Sequence, residues 1–122
     1  MILVDTSVWV HHFRLGSVAL ASVLEDAVAV THPFVIGELA CGNLSNRTAI
    51  LADLQTLPEA VSATHDEVLT LLDEHKLWTL GIGWVDSHLL ASALLSNCRL
   101  WTLDKRLQRA ARASRVRLFT AN

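Results

Sequence analysis

Four carboxylates in this chain, Asp5, Glu38, Asp86 and Asp104, stand where acid chemistry is feasible. Asp5 ends the apolar run Ile2-Leu3-Val4, and Asp104 ends the run Leu100-Trp101-Thr102-Leu103. If both runs are strands of an open parallel sheet, both acids leave the same edge, outside the carboxyl ends of the strands, where such sheets gather their sites. Glu38 follows Phe34 by one helical turn and precedes Cys41 and Gly42 by another, on or beside an apolar stripe. A carboxylate there is rarely buried without a partner. Asp86 opens a strongly apolar segment with Leu89, Leu90 and Ala93 at i+3, i+4 and i+7. Each acid also has a plainer use: a helix cap for Asp5 and Asp104, a first-turn acid for Asp86, and a rim position for Glu38. Brought together, the four would repel, and a divalent cation relieves that repulsion. Oxygen-only ligands suit Mg²⁺ or Mn²⁺ rather than zinc. Such an ion makes hydroxide from water and neutralises charge on a phosphoryl oxygen, which is the chemistry of phosphodiester hydrolysis.

The elements that would position these acids alternate. Short apolar runs at Ile2–Val4, Val28–Val30, Arg99–Leu103 and Val116–Phe119 read as strands, with a further strand near Val61. Helical spacing appears at 8–13, 18–25, 46–54, 65–77, 84–95 and 104–113, with a break near Gly16. Thr31 is the expected cap of another helix, with Pro33 in its first turn and Gly42 as its stop. Strands alternating with helices predict right-handed crossovers and an α/β fold: a mostly parallel sheet with helices on both faces.

Composition narrows the class. The chain has 122 residues, 52% apolar and 18% charged, which suits one folded domain and excludes a disordered or low-complexity chain. The richest apolar stretch, residues 18–30, is cut by Glu25 and Asp26, well short of the ~18 consecutive residues that a membrane span needs. Cys41 and Cys98 are far apart, and Met1-Ile2-Leu3-Val4 carries no basic leader, so a reducing, cytoplasmic setting is expected. Charge is unevenly spread. Residues 1–98 hold three Lys or Arg and eleven Asp or Glu, a balance of −8; residues 99–122 hold seven and one, a balance of +6. The C-terminal end is built to meet something anionic.

With these residues in view, the chain resembles the PIN domains. Leu3-Val4-Asp5-Thr6-Ser7 resembles their opening, and Val35-Ile36-Gly37-Glu38-Leu39-Ala40 their second acidic segment. Gly83-Trp84-Val85-Asp86-Ser87-His88 resembles the third, and Thr102-Leu103-Asp104-Lys105-Arg106-Leu107 the fourth. Order, spacing and length together resemble the VapC toxins of bacterial toxin–antitoxin pairs, over essentially all of residues 1–122. The resemblance implies a three-layer α/β/α domain with a five-stranded parallel sheet, and a homodimer. It implies a Mg²⁺- or Mn²⁺-dependent endoribonuclease that cuts tRNA, rRNA or mRNA and stops translation. A cognate antitoxin protein that covers the acidic pocket is also implied.

On this reading Asp5 and Asp86 are the main metal ligands, and Asp104 and Glu38 complete the shell. Thr6, Ser7 and Thr102 hold the carboxylates in place. Lys105, Arg109 and Arg112, at i, i+4 and i+7, share a helix face suited to RNA phosphates or to the rim of an antitoxin site. Of the four tryptophans, Trp9 and Trp84 lie close in sequence to acidic positions and are the better candidates to stack an unpaired base. The adjacent His11 and His12 point apart on a helix, and Ser7 lacks the setting of a hydrolase nucleophile. A GxxxxGK[ST] loop is absent, and Ser7 stands where a dehalogenase-type phosphatase wants a second Asp. The competing expectation is a catalytically idle binding module that uses its basic C-terminal helix for nucleic acid or a protein partner.

Overall fold

The computed structural model describes residues 1–121. Three parallel strands, β1 (Ile2–Val4), β2 (Ala29–Val30) and β3 (Arg99–Trp101), form a sheet in the order β2-β1-β3. Ile2 pairs with Ala29 on one side and Arg99 on the other, and Val4 pairs with Trp101. The central strand is buried throughout, so it reads as an unbroken apolar run rather than an alternating one.

Among the described residues, seven α-helices surround the sheet: α1 (Thr6–Leu15), α2 (Val18–Glu25), α3 (Pro33–Ala40), α4 (Arg47–Leu54), α5 (His65–His75), α6 (Trp84–Ser96) and α7 (Lys105–Ala113). Gly16, at φ 75°, separates α1 from α2 in the left-handed region that glycine tolerates. Ser17 accepts the Leu20 N–H to start α2, and Thr64 and Glu67 form a reciprocal capping box at α5. Helix α6 buries Ser87 through Ala93 without interruption. Leu3, Leu20, Leu39, Leu89, Leu90, Leu100 and Leu107 are fully buried at the core between sheet and helices. Truncating any of them to alanine would cost about 2–5 kcal/mol.

The α/β class and parallel sheet agree with the sequence reading, but the strand count is three rather than five. The two outer positions are single bridges, Thr31 to Glu59 and Leu100 to Leu118. Thr31 N–H donates to the Pro58 carbonyl and its own carbonyl accepts from Ala60, while Leu100 does the same with Arg117 and Phe119. One ladder step forms on each edge and stops. Pro58 has no N–H with which to extend its side. The expected strand near Val61 is therefore a bridge at Glu59, and Val116–Phe119 is an edge contact. A second correction concerns α3. Its cap is His32 rather than Thr31: His32 Nδ1 accepts the Phe34 N–H at 2.9 Å.

Candidate active site

Asp5 occupies the capping position of α1 yet does not cap it. Its side chain, only 5% exposed, turns instead to two hydroxyls. Ser7 Oγ and Thr102 Oγ1 each donate to Asp5 Oδ2 at 2.7 Å. Both donors meet one oxygen, and Oδ1 accepts no hydrogen bond among the described residues. The two hydroxyls are themselves fixed from β3 and the segment after it. Ser7 Oγ accepts the Leu103 N–H at 3.0 Å, and Thr102 Oγ1 accepts the Asp104 N–H at 3.1 Å. A buried carboxylate thus obtains the donors that make burial tolerable, from both ends of the chain.

Asp104 does cap its helix. Oδ1 accepts from the N–H groups of Arg106 at 2.8 Å and Leu107 at 3.4 Å, at the start of α7. The carboxylate is exposed, and its second oxygen remains open. Glu38, also exposed, accepts from Thr6 Oγ1 at 2.7 Å, which ties α3 to the first residue of α1. Asp86 is half-buried in the first turn of α6 and accepts a long, 3.5 Å hydrogen bond from the Gly83 N–H. Its carboxyl is pushed above the usual carboxylate value, first by burial and then by the negative charge of Asp5. The Gly83 N–H acts in the opposite sense, while Asp104 and Glu38 add to the rise. Asp86 therefore lies within the electrostatic influence of the other three acids.

Packing explains the approach. Phe34 and Trp84 each meet the His88 ring at 4.8 Å between centroids, and His32 meets Phe34 at 5.1 Å. This row joins α3 to α6 and fixes Glu38 relative to Asp86. On the other flank, Gly81 at φ 75° lies against Arg106, whose Cδ stands 3.6 Å from where a β-carbon would be. That contact seats the loop before α6 on the first turn of α7. His32 and its part in the row were not found from sequence. The signal available was the His-Pro step, which holds His32 extended and frees its ring to cap.

Oxygen is the only donor type among the four acids, which suits a hard cation. In this conformation no three His, Cys, Asp or Glu side chains among the described residues converge on one point. Mg²⁺ tolerates such an open set, because it is commonly bound by one or two carboxylates together with waters and substrate phosphate. The Oδ1 of Asp5, which accepts no hydrogen bond among the described residues, and the half-buried Asp86 could hold such an ion.

Lys105, Arg109 and Arg112 are exposed on α7, while Leu107, Ala110 and Ala111 are buried behind them. Trp9 is buried, so it offers no face to a base; Trp84 is 39% exposed. Among the described residues, no helix is long and apolar enough to cross a membrane.

Two curated proteins, both Ribonuclease VapC32 from Mycobacterium tuberculosis (strains CDC 1551 / Oshkosh and ATCC 25618 / H37Rv), are 48% identical over 119 residues. The match covers 97% of this chain and 96% of theirs. The crystal structure of FitAcB from Neisseria gonorrhoeae superposes with a TM-score of 0.68 at 16% identity, covering 98% of this chain and 97% of that one. That of PAE2754 from Pyrobaculum aerophilum gives 0.60 at 18% identity, covering 89% and 78%. Both share the fold. Residues 2–113 match the PIN domain model, from the first strand to the end of α7, with all four acids inside the match. The chain belongs to the PIN-domain family.

Proposed function

We propose that this chain is the toxin of a toxin–antitoxin pair, an endoribonuclease that hydrolyses RNA phosphodiester bonds and thereby inhibits translation. The observation that carries the reading is the buried Asp5 carboxylate. It declines its helix-capping role and is held on one oxygen by Ser7 and Thr102. The 48% identity to proteins named Ribonuclease VapC32 supports the same reading.

Asp5 and Asp86 would hold Mg²⁺ or Mn²⁺, with Glu38 and Asp104 completing the shell directly or through water. When bound, such an ion activates water and offsets charge developing on the phosphoryl oxygens. The chain's own residues set the geometry. Ser7 and Thr102 fix Asp5, Thr6 fixes Glu38, and the α7 backbone fixes Asp104. Raised first by burial and then by its acidic neighbours, the Asp86 carboxyl favours a cation that would relieve the repulsion. The basic face of α7, beginning beside Asp104, is suited to phosphates on one side of the acids. Partners on this reading are a tRNA, rRNA or mRNA substrate, a cognate antitoxin, and a second copy of the chain in a homodimer, all in the cytoplasm.

The test is cleavage of total bacterial RNA by purified protein freed of antitoxin. Mg²⁺ or Mn²⁺ is compared with EDTA, and wild type with Asp5→Asn and Asp86→Asn. Discrete fragments that disappear with EDTA and with either substitution are expected. Fragments that survive in both variants, or no cleavage with either metal, would overturn the assignment.

A further inference from the structure

Beyond the four acids lies a cleft of about 450 Å³ between α1, the end of α3 and the segment 42–46. Glu38 forms part of its wall, so anything seated there is next to the acids. Its floor is apolar, with Val10, Phe13, Leu39 and Ile50, and its rim is polar, with Arg14, Asn43, Ser45 and Asn46. The rim is fixed rather than loose. Arg47 donates from Nε and Nη2 to the Ala40 carbonyl at 3.1 and 2.9 Å, which closes the segment at its base.

Two features are left over by the fold. Asn46 stands at the capping position of α4 with φ 55°, in the left-handed region, yet its side chain caps nothing. An asparagine at a helix start ordinarily contributes through that cap. Here its amide is free to act elsewhere. Charge is the second feature. Residues 1–98 contain only three cations, and two of them, Arg14 and Arg47, flank this cleft in an otherwise acidic region.

The hydrogen bonds also give a direction. From Asp104 they run to Thr102, on to Asp5, and from the next residue, Thr6, to Glu38. The basic face of α7 lies at one end of this line and the cleft at the other. We propose that the cleft is a nucleotide subsite, which takes one unpaired RNA nucleotide beside the scissile phosphate and sets base preference there. Its base lies on Phe13 and Ile50, both half-buried, its edge meets the amides of Asn43 and Asn46, and its phosphate meets Arg14. Splayed bases read at their edges over an apolar floor are the usual mode of single-strand RNA recognition. The cleft volume falls in the range of small-molecule sites.

The inference rests on the ribonuclease reading, and its test separates the two. Cut sites in total RNA are mapped by end sequencing for wild type, Asn43→Ala, Asn46→Ala and Arg14→Gln. Wild-type cleavage first establishes the reaction; failure there sinks the ribonuclease reading itself. The expected result is a loss of preference, roughly tenfold, at one fixed base position next to the cut in either Asn variant. Arg14→Gln should raise KM several-fold with kcat little changed. An unchanged cut-site profile in all three variants would overturn the subsite alone. Unchanged profiles with weakened inhibition by the cognate antitoxin would overturn it in favour of a protein segment in the cleft. If a variant cuts nothing, anisotropy with a fluorescein-labelled oligonucleotide spanning the mapped cut decides: wild-type affinity overturns the subsite, weakened affinity supports it.

Discussion

Thr102 Oγ1 donates to Asp5 Oδ2 at 2.7 Å across 97 residues of sequence, and the same hydroxyl accepts the Asp104 N–H. One hydroxyl thereby ties two candidate metal ligands to the ends of adjacent strands. Thr102→Val keeps the shape and removes the hydroxyl. It leaves Asp5 with Ser7 alone and the Asp104 N–H without its acceptor. Activity should fall about 10–100-fold, the usual loss when a residue that orients a ligand is removed. Thr102→Ser should restore most of it. Metal titration followed by activity should show weaker apparent Mg²⁺ affinity for the valine variant only. Equal affinity in both variants would assign Thr102 to packing.

Asp86 has a carboxyl raised by burial and by three acidic neighbours. A group whose folded value lies above its unfolded one stabilises the fold below the unfolded value, and that stability is lost as pH rises through the folded value. At neutral pH the ionised Asp86 therefore weakens the metal-free protein. Asp86→Asn should raise the melting temperature in EDTA by about 1–3 °C, a small gain because half-exposed charges are screened. The gain should vanish below about pH 4, where Asp86 is protonated in both states. Added Mg²⁺ should stabilise wild type more than the variant. A variant less stable than wild type in EDTA at pH 7 would mean that repulsion is not the governing effect.

His32 has the opposite sign. Burial, with a smaller contribution from His88, lowers its pKa to about 4. Its Nδ1 must remain unprotonated to accept the Phe34 N–H that begins α3. This stability is present above the unfolded value near 6.5 and is lost as pH falls toward 4. Urea unfolding should become easier by on the order of 1–2 kcal/mol between pH 7 and pH 5. His32→Asn keeps an acceptor at the cap and cannot titrate. Its stability, lower at the outset, should change less over the same interval. An identical pH slope in both proteins would exclude His32 as its source.

The site was more legible in the sequence than the sheet edges were. Asp5 and Asp104 were readable because each ends a short apolar run, and the strand-end rule converts that into a common location. Asp86 and Glu38 were readable only as acids on apolar faces; their approach depends on the Phe34, His88 and Trp84 row, which no local pattern encodes. The outer strands looked like strands because their residues are apolar, yet each forms one bridge, since pairing depends on a partner's length and on Pro58. The 42–46 cleft was invisible in the sequence. Its rim follows from an Arg47 contact and a left-handed Asn46, both products of tertiary context.

The exposed face of α7 offers the most direct physical measurement. Lys105, Arg109 and Arg112 begin beside Asp104 and point away from buried Leu107, Ala110 and Ala111. If they hold RNA phosphates, each neutralised phosphate of a single strand should contribute about 0.7 to the slope of log affinity against log salt. Binding is measured in an Asp5→Asn background, so that the RNA stays intact. Changing all three cations to glutamine should lower the slope by about 2 and weaken binding similarly across sequences. That uniform loss would distinguish α7 from the cleft, whose variants should alter preference at one position. A slope equal to that of the parent would remove α7 from the RNA path. Weakened inhibition by the cognate antitoxin in the same variant would then assign the face to that partner.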